Sequence, residues 1–222
     1  MIYHEYIHKE KFLFEAGGVL NDLKVAYHTS PYEYDPCGGK KVIWICHALT
    51  ANSDAEDWWP ELVGSGKLFD TEKYFVVCAN MLGSPYGSSG PAHCPAGKYL
   101  DFPKVTVRDI VKANDLVRSH LGSDKIDLLV GGSIGGFQAL EWSISHPEVI
   151  KKAIYIACGA VETPWLAASI ESQRMALEAD QNFRKQDSLQ APFMGLRCAR
   201  SIALISYRSY QGYNLTQSEQ EE

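Results

Sequence analysis

Hydrophobic and polar positions change rhythm along this chain, and each rhythm predicts an element. From residue 11 to 28 apolar and polar side chains alternate around Gly17-Gly18 and Asn21-Asp22. That pattern predicts an N-terminal antiparallel pair with its loop near Gly17 and Asn21. Residues 29–40 (TSPYEYDPCGGK) read as loop. Four short, nearly continuous apolar runs follow at Val42–Cys46, Tyr74–Ala79, Ile126–Val130 and Ala153–Ala157. Strands buried on both faces, as in a parallel sheet covered by helices, read this way. Helical spacing fills the gaps. Thr106 and Asp109 form a helix start, Ile110, Ala113, Val117 and Leu121 repeat on one face, and Gly122 stops the run. A second helix is expected after Ser133, through Phe137, Leu140 and Ile144 to His146-Pro147. Strand-helix-strand alternation implies right-handed crossovers and an α/β sheet. After about Gly159 the rhythm is helical only, over 164–181 and 193–209, with Asp187 to Pro192 as connector. Helices in that position are expected to cap the sheet.

Composition narrows the class. The chain has 222 residues, of which 45% are hydrophobic, enough for one substantial core and too many for a disordered protein. The 21 basic and 27 acidic residues leave a net charge of −6 with no basic cluster, so nucleic-acid binding has no electrostatic footprint. No run reaches the roughly 18 apolar residues of a membrane span, and the opening MIYHEYIHKE lacks a signal-peptide layout. A soluble, cytoplasmic protein without a membrane partner is expected. The cysteines at 37, 46, 78, 94, 158 and 198 form no C-x-x-C pair, which argues against a zinc site and for reduced, mostly buried thiols.

The strongest chemical signal is IDLLVGGSIGG at 126–136, with G-x-S-x-G at Gly131, Ser133 and Gly135 between a buried strand and a helix. That is the context of a nucleophile elbow, in which a tight turn lifts the serine hydroxyl clear of the sheet. Side chains two positions before and after would collide, hence the glycines. The loop CHALTAN after the strand ending at Ile45 is the place for a second oxyanion donor. Leu49 N–H is the choice there, paired with Ile134 N–H. Each such donor is worth roughly 2.7–4 kcal/mol of barrier. His47 precedes the nucleophile, against the Ser, Asp/Glu, His order of such enzymes, and reads as support for its own loop. The segment NMLGSPYGSSGP (80–91) lies on the same rim, either as a surface loop or as part of a substrate mouth. In GLRCARSIALISYR (195–208), Arg200 and Tyr207 are seven apart on one helix face, and an arginine there could clamp a carboxylate. Trp58 and Trp59 read as packing.

Together these segments resemble the homoserine O-acetyltransferase family of the α/β-hydrolase superfamily. The matching stretches are CHALTANSDAEDWWPELVGSGKLFDTEKYFVVCANMLGSPYGSSGP, GGSIGGFQALEWS and APFMGLRCARSIALISYRS, within residues 11–210. The resemblance implies an α/β-hydrolase fold: a mostly parallel sheet with N-terminal antiparallel strands, residues 1–160 as the core, 161–222 as an incomplete helical cap, and the final strands missing. It implies a ping-pong cycle in which Ser133 takes the acetyl group of acetyl-CoA and passes it to the hydroxyl of L-homoserine, for methionine synthesis. Leu49 and Ile134 would be the oxyanion donors. Arg200 would bind the homoserine carboxylate, with Tyr207 beside it. Acetyl-CoA is a co-substrate; no bound cofactor or metal is expected. A succinyl donor, a plain serine hydrolase and a non-catalytic fragment are the alternatives.

The family's triad aspartate and histidine have no counterpart in this chain. After Ser133 the only histidine is His146, thirteen positions on. Across one helix that is about 20 Å, against the roughly 3 Å of a hydrogen bond. A truncated form is therefore expected, nearly inactive alone, with an open sheet edge that favours a homodimer.

Overall fold

The structure is a computed structural model, described here for residues 1–94, 99–183 and 193–217. In chain order its strands and α-helices are β1 (Ile2–His8), β2 (Phe12–Leu13), β3 (Val19–Leu20), β4 (Leu23–Thr29), β5 (Val42–Cys46), α1 (Ala55–Trp58), β6 (Phe75–Ala79), α2 (Val107–His120), β7 (Leu128–Gly132), α3 (Ile134–Ser145), β8 (Ala153–Ile156), α4 (Pro164–Glu178), α5 (Phe193–Ser206) and α6 (Tyr210–Gln217). They fall into two compact units. One holds residues 1–94 and 101–160; the other holds the described residues of 95–100 and 161–222.

The first unit is built on a six-stranded sheet in the order β1-β4-β6-β5-β7-β8. Strands β6, β5, β7 and β8 are mutually parallel, while β4 is antiparallel to both β1 and β6. This is the expected mostly parallel sheet with antiparallel strands at its N-terminal end. Alternation within the central strands serves two cores. Trp44 and Cys46 of β5, with Phe75, Val77 and Ala79 of β6, face one side, where α2 and α3 contribute Val117 and Trp142. Ile43, Ile45, Val76 and Cys78 face the other, against Ala55, Val63 and Phe69. The Trp44 and Trp142 rings meet edge to face, with centroids 5.0 Å apart. Burying a side chain of such size contributes about 1.5–3 kcal/mol or more.

Two expectations need correction. The alternation at 11–28 is not one antiparallel pair. Residues 12–20 form a minimal hairpin, Phe12 opposite Leu20 and Leu13 opposite Val19, closed over Gly17 and Gly18, both at positive φ. The strand that follows, β4, instead pairs along its whole length with β1, inside the segment that reads as a polar start. A sheet-edge strand needs only one half-buried face, so β1 carries no apolar run. Strand β8 is likewise not buried on both faces: Ile154, Tyr155 and Ile156 are exposed. It has a partner on one side only among the described residues.

The helix starting at Thr106 obeys its local code. Asp109 N–H donates to Thr106 Oγ1 (3.3 Å) and Thr106 N–H donates back to Asp109 Oδ2 (2.9 Å), a full capping box. Gly122, at φ 72°, ends it.

In the second unit α4 and α5 pack against each other, and α6 extends beyond the helical rhythm read from sequence. Thr163 caps α4 through Leu166 N–H, and Pro164 takes its first position, where no amide is needed. Gly195 lies against the Ala176 carbonyl oxygen, where a Cβ would come within 2.7 Å, so glycine is what allows the two helices their approach. The connector expected at Asp187 to Pro192 lies outside the described residues. Among the described residues no helix is long and apolar enough to cross a membrane.

Candidate active site

Ser133 stands between β7 and α3 at φ 56°, ψ −124°, a conformation that costs a non-glycine residue of order 1–3 kcal/mol. Three interactions hold it there. Its N–H donates to Ile156 O of β8 (2.9 Å), while its carbonyl accepts from Gly136 N–H (2.8 Å) and Phe137 N–H (3.1 Å) to open the helix. The residue is exposed, and its hydroxyl makes no cap bond, so the oxygen is free at the positive end of a twelve-residue helix.

The flanking glycines are required by packing. A Cβ on Gly131 would overlap the Gly135 carbonyl and lie 2.9 Å from Gly136 N. One on Gly135 would overlap the Cys46 carbonyl oxygen and lie 2.9 Å from His47 O. The elbow is thus pressed directly against the exit of β5, whose Cys46 is registered opposite Gly131. Gly132, between them, has nothing within 4 Å of its Cβ position and is not required by space.

That contact brings the loop carrying Leu49 to the elbow. Leu49 is 64% exposed, in a turn closed by Ala51 N–H to Ala48 O (3.1 Å). Among the described residues neither Leu49 N–H nor Ile134 N–H donates to a protein acceptor. His47 is fully buried. Its Nδ1–H donates to Ala48 O (2.8 Å), and its Nε2 accepts from Met81 N–H (3.1 Å). Burial pushes its pKa down, opposed by the Ala48 bond, so the ring is held neutral with both nitrogens in use. It supports its loop, as its place ahead of Ser133 in the chain suggests.

Sequence reasoning missed a second cluster. Ser53, His28 and Asp54 come together, with His28 Nδ1 2.7 Å from Ser53 Oγ and its Nε2 3.9 Å from Asp54. They are the residue types of a triad, but Ser53 is fully buried and its oxygen already accepts from Asn80 Nδ2 (2.7 Å). The cluster is a structural joint. Its one sequence signal is Asn80, a polar residue directly after a buried strand. The 80–91 segment is also less superficial than its turn formers suggest. Ser88, Ser89 and Gly90 are buried, and Ser88 Oγ and Ser89 Oγ accept the Ala26 and Lys24 amides of β4.

Arg200 lies exposed on α5, its side chain without a hydrogen bond or ion pair among the described residues. Tyr207 sits one residue past the end of α5, still bonded through its N–H to Ala203 O (3.1 Å), and is exposed. Both belong to the second unit, Ser133 to the first. His146 ends α3 at the opposite terminus from Ser133, beyond reach. Among the described residues no side chain hydrogen-bonds to Ser133, and no group of three or more His, Cys, Asp or Glu could hold a metal. The six cysteines are unpaired, and burial pushes the Cys46 thiol up to about 12.

A strained, exposed serine on a strand-to-helix turn, beside a loop with a free amide, defines a class. The chain belongs to the alpha/beta hydrolase fold family, whose pattern it matches over residues 41–204. Within that family it is similar to homoserine O-acetyltransferase of Cyclobacterium marinum, 46% identical over 82% of this chain and 52% of that protein. The enzyme of the same name from Chlorobaculum parvum is 39% identical over 92% of this chain and 58% of its own. A solved homoserine O-acetyltransferase from Staphylococcus aureus superimposes with a TM-score of 0.79 at 31% identity, covering 98% of this chain and 62% of that one. Esterase E22 shares the fold at a TM-score of 0.81 and 22% identity, and its L374D mutant at 0.84 and 23%, each covering 97% of this chain and 64% of its own. The chain spans about half to three-fifths of the length of the curated relatives it matches.

Proposed function

We propose that Ser133 is the acyl-carrying nucleophile of a homoserine O-acetyltransferase. The observation that carries the chemistry is the exposed serine at φ 56° on the elbow, which packs through Gly135 against the start of the loop carrying Leu49, with the Leu49 and Ile134 amides uncommitted. The likeness to homoserine O-acetyltransferases at up to 46% identity supports the substrate pair. In the first half-reaction Ser133 Oγ attacks the thioester carbonyl of acetyl-CoA. The oxyanion is held by the two amides, the C–S bond breaks, and coenzyme A leaves as the thiol with the serine proton. In the second, the side-chain hydroxyl of L-homoserine attacks the acetyl-serine, and Ser133 recovers a proton as the O-acetyl ester departs. Arg200 binds the homoserine carboxylate with Tyr207 beside it.

A serine without a hydrogen-bonded base stays a weak nucleophile. The proposal therefore predicts slow acylation by this chain alone, at the residual level left to oxyanion stabilisation and binding. The reading extends to a cytoplasmic homodimer acting in methionine synthesis.

The test is direct. Incubation with acetyl-CoA should place one acetyl group on the peptide containing Ser133 with release of one equivalent of thiol, and release beyond that equivalent should depend on L-homoserine. The Ser133→Ala protein should carry none. Arg200→Ala should raise the homoserine requirement far more than the acetyl-CoA requirement. Acetylation that survives Ser133→Ala removes the serine from the chemistry, and thiol release as fast with water alone makes the protein a hydrolase.

A further inference from the structure

The loop between β5 and α1 is held at both ends by two consecutive residues of another loop. Asn80 and Met81 directly follow β6. Met81 N–H donates to His47 Nε2 at the start of the loop (3.1 Å). Asn80 Oδ1 accepts Ser53 N–H (2.8 Å) and Asn80 Nδ2 donates to Ser53 Oγ (2.7 Å) at its end. The anchor is itself fixed, because Asn80 N–H donates to Ala26 O of β4 (2.8 Å) and its carbonyl accepts Ser88 Oγ–H (2.8 Å). His47, Ser53, Asn80 and Met81 are all buried, so these bonds do not compete with water. Leu49 lies between the two clamps with its side chain exposed, and its own packing cannot hold it in place.

We infer that His47 is a positioning residue: through its bond to Met81 N–H it sets where the Leu49 amide points relative to Ser133. The inference rests on the reading of Ser133 as nucleophile and Leu49 N–H as oxyanion donor. Two hydrogen bonds leave the His47 ring but only one crosses to another loop. The Nδ1 bond to Ala48 O is local and fixes the tautomer; the Nε2 bond ties the loop to the β6 exit. The Gly135 contact with the Cys46 and His47 carbonyls puts the elbow against the same residues, so a shift of His47 changes the distance between donor and nucleophile. A misplacement of about 1 Å in such a site costs on the order of 10²-fold in rate.

Amide side chains separate the two bonds. Glutamine places its oxygen near the imidazole Nε2 position and can accept Met81 N–H. Asparagine reaches only the Nδ1 position and can serve Ala48 O alone. The probe is p-nitrophenyl acetate, whose leaving group lessens the need for a base. The readouts are the saturating rate of Ser133 acetylation, the ester concentration for half-saturation, and the melting temperature. His47→Ala and His47→Asn are expected to lower the saturating rate by about 10²-fold with half-saturation little changed. His47→Gln should recover most of that loss even where its melting temperature stays low. Wild-type rates in folded His47→Ala or His47→Asn, recovery by asparagine equal to that by glutamine, or a change confined to half-saturation would each overturn the positioning role while leaving Ser133 as nucleophile. Wild-type protein acetylated no faster at Ser133 than Ser133→Ala is elsewhere overturns the nucleophile, and the inference with it.

Discussion

Replacing Gly135 by alanine adds one methyl group at the tightest point of the site. The new carbon would overlap the Cys46 carbonyl oxygen, 2.8 Å from its carbon and 2.9 Å from His47 O, where ordinary contact begins at 3.4 Å. Every one of these neighbours is backbone, so no side chain can swing away. The exit of β5 must retreat from α3, against a strand whose five residues are all buried. Overpacking of this kind costs about 1–3 kcal/mol, and in a protein of this size each kcal/mol lowers the melting temperature by roughly 2–4 °C. Gly135→Ala should therefore melt roughly 2–12 °C below wild type. It should also acetylate at Ser133 about 10²-fold more slowly, because the retreat carries the Leu49 loop with it. Gly132→Ala is the internal control, since its Cβ meets nothing within 4 Å. It should stay within about 0.5 kcal/mol of wild type. Thermal melts by circular dichroism and the p-nitrophenol burst read the two effects. Equal melting and equal bursts for the two variants would refute the packing argument.

The remaining predictions concern strain, capping and charge. Ser133→Gly should melt above Ser133→Ala, because glycine relieves the φ 56°, ψ −124° backbone and alanine does not; the gap of about 1 kcal/mol or more is read by melting both. Thr106→Ala should destabilise by about 1 kcal/mol in urea titration, since it removes the hydroxyl that accepts Asp109 N–H. Burial pushes the pKa of His47 down, and does the same to His28 against the opposing pull of Asp54. The unfolded chain therefore binds more protons than the native one below the ordinary histidine value of about 6.5. The stability these rings contribute is complete above that pH and is lost as pH falls from there towards their native values. Melting temperatures should be flat above about pH 7 and decline below about 6.5; a decline that begins only in the carboxylate range would contradict the histidine burial.

Features set by neighbours along the chain are legible in the sequence. The capping box at Thr106 and Asp109, the stop at Gly122 and the close pass of Gly131 on Gly135 depend on residues no more than four positions apart. The central strands announced themselves as continuous apolar runs because both their faces are buried. Strand β1 did not, since a half-buried edge strand needs no such run, and only its pairing with β4 makes it a strand at all. The reading of 80–91 stayed open for a similar reason: serines and glycines look alike in a solvated turn and in one whose hydroxyls satisfy the amides of a neighbouring strand.

The sequence by itself determined that a serine would stand at a tight strand-to-helix turn, because the close pass of Gly131 and Gly135 around Ser133 is a contact between residues four positions apart. Tertiary structure alone decided which backbone presses on that turn, and it placed Met81, thirty-four positions away, on the ring of His47. Strand order is the physical reason. The parallel neighbours β6, β5 and β7 deliver three distant loops to one rim, and a hydrogen bond between two of them leaves no mark in the residues of either.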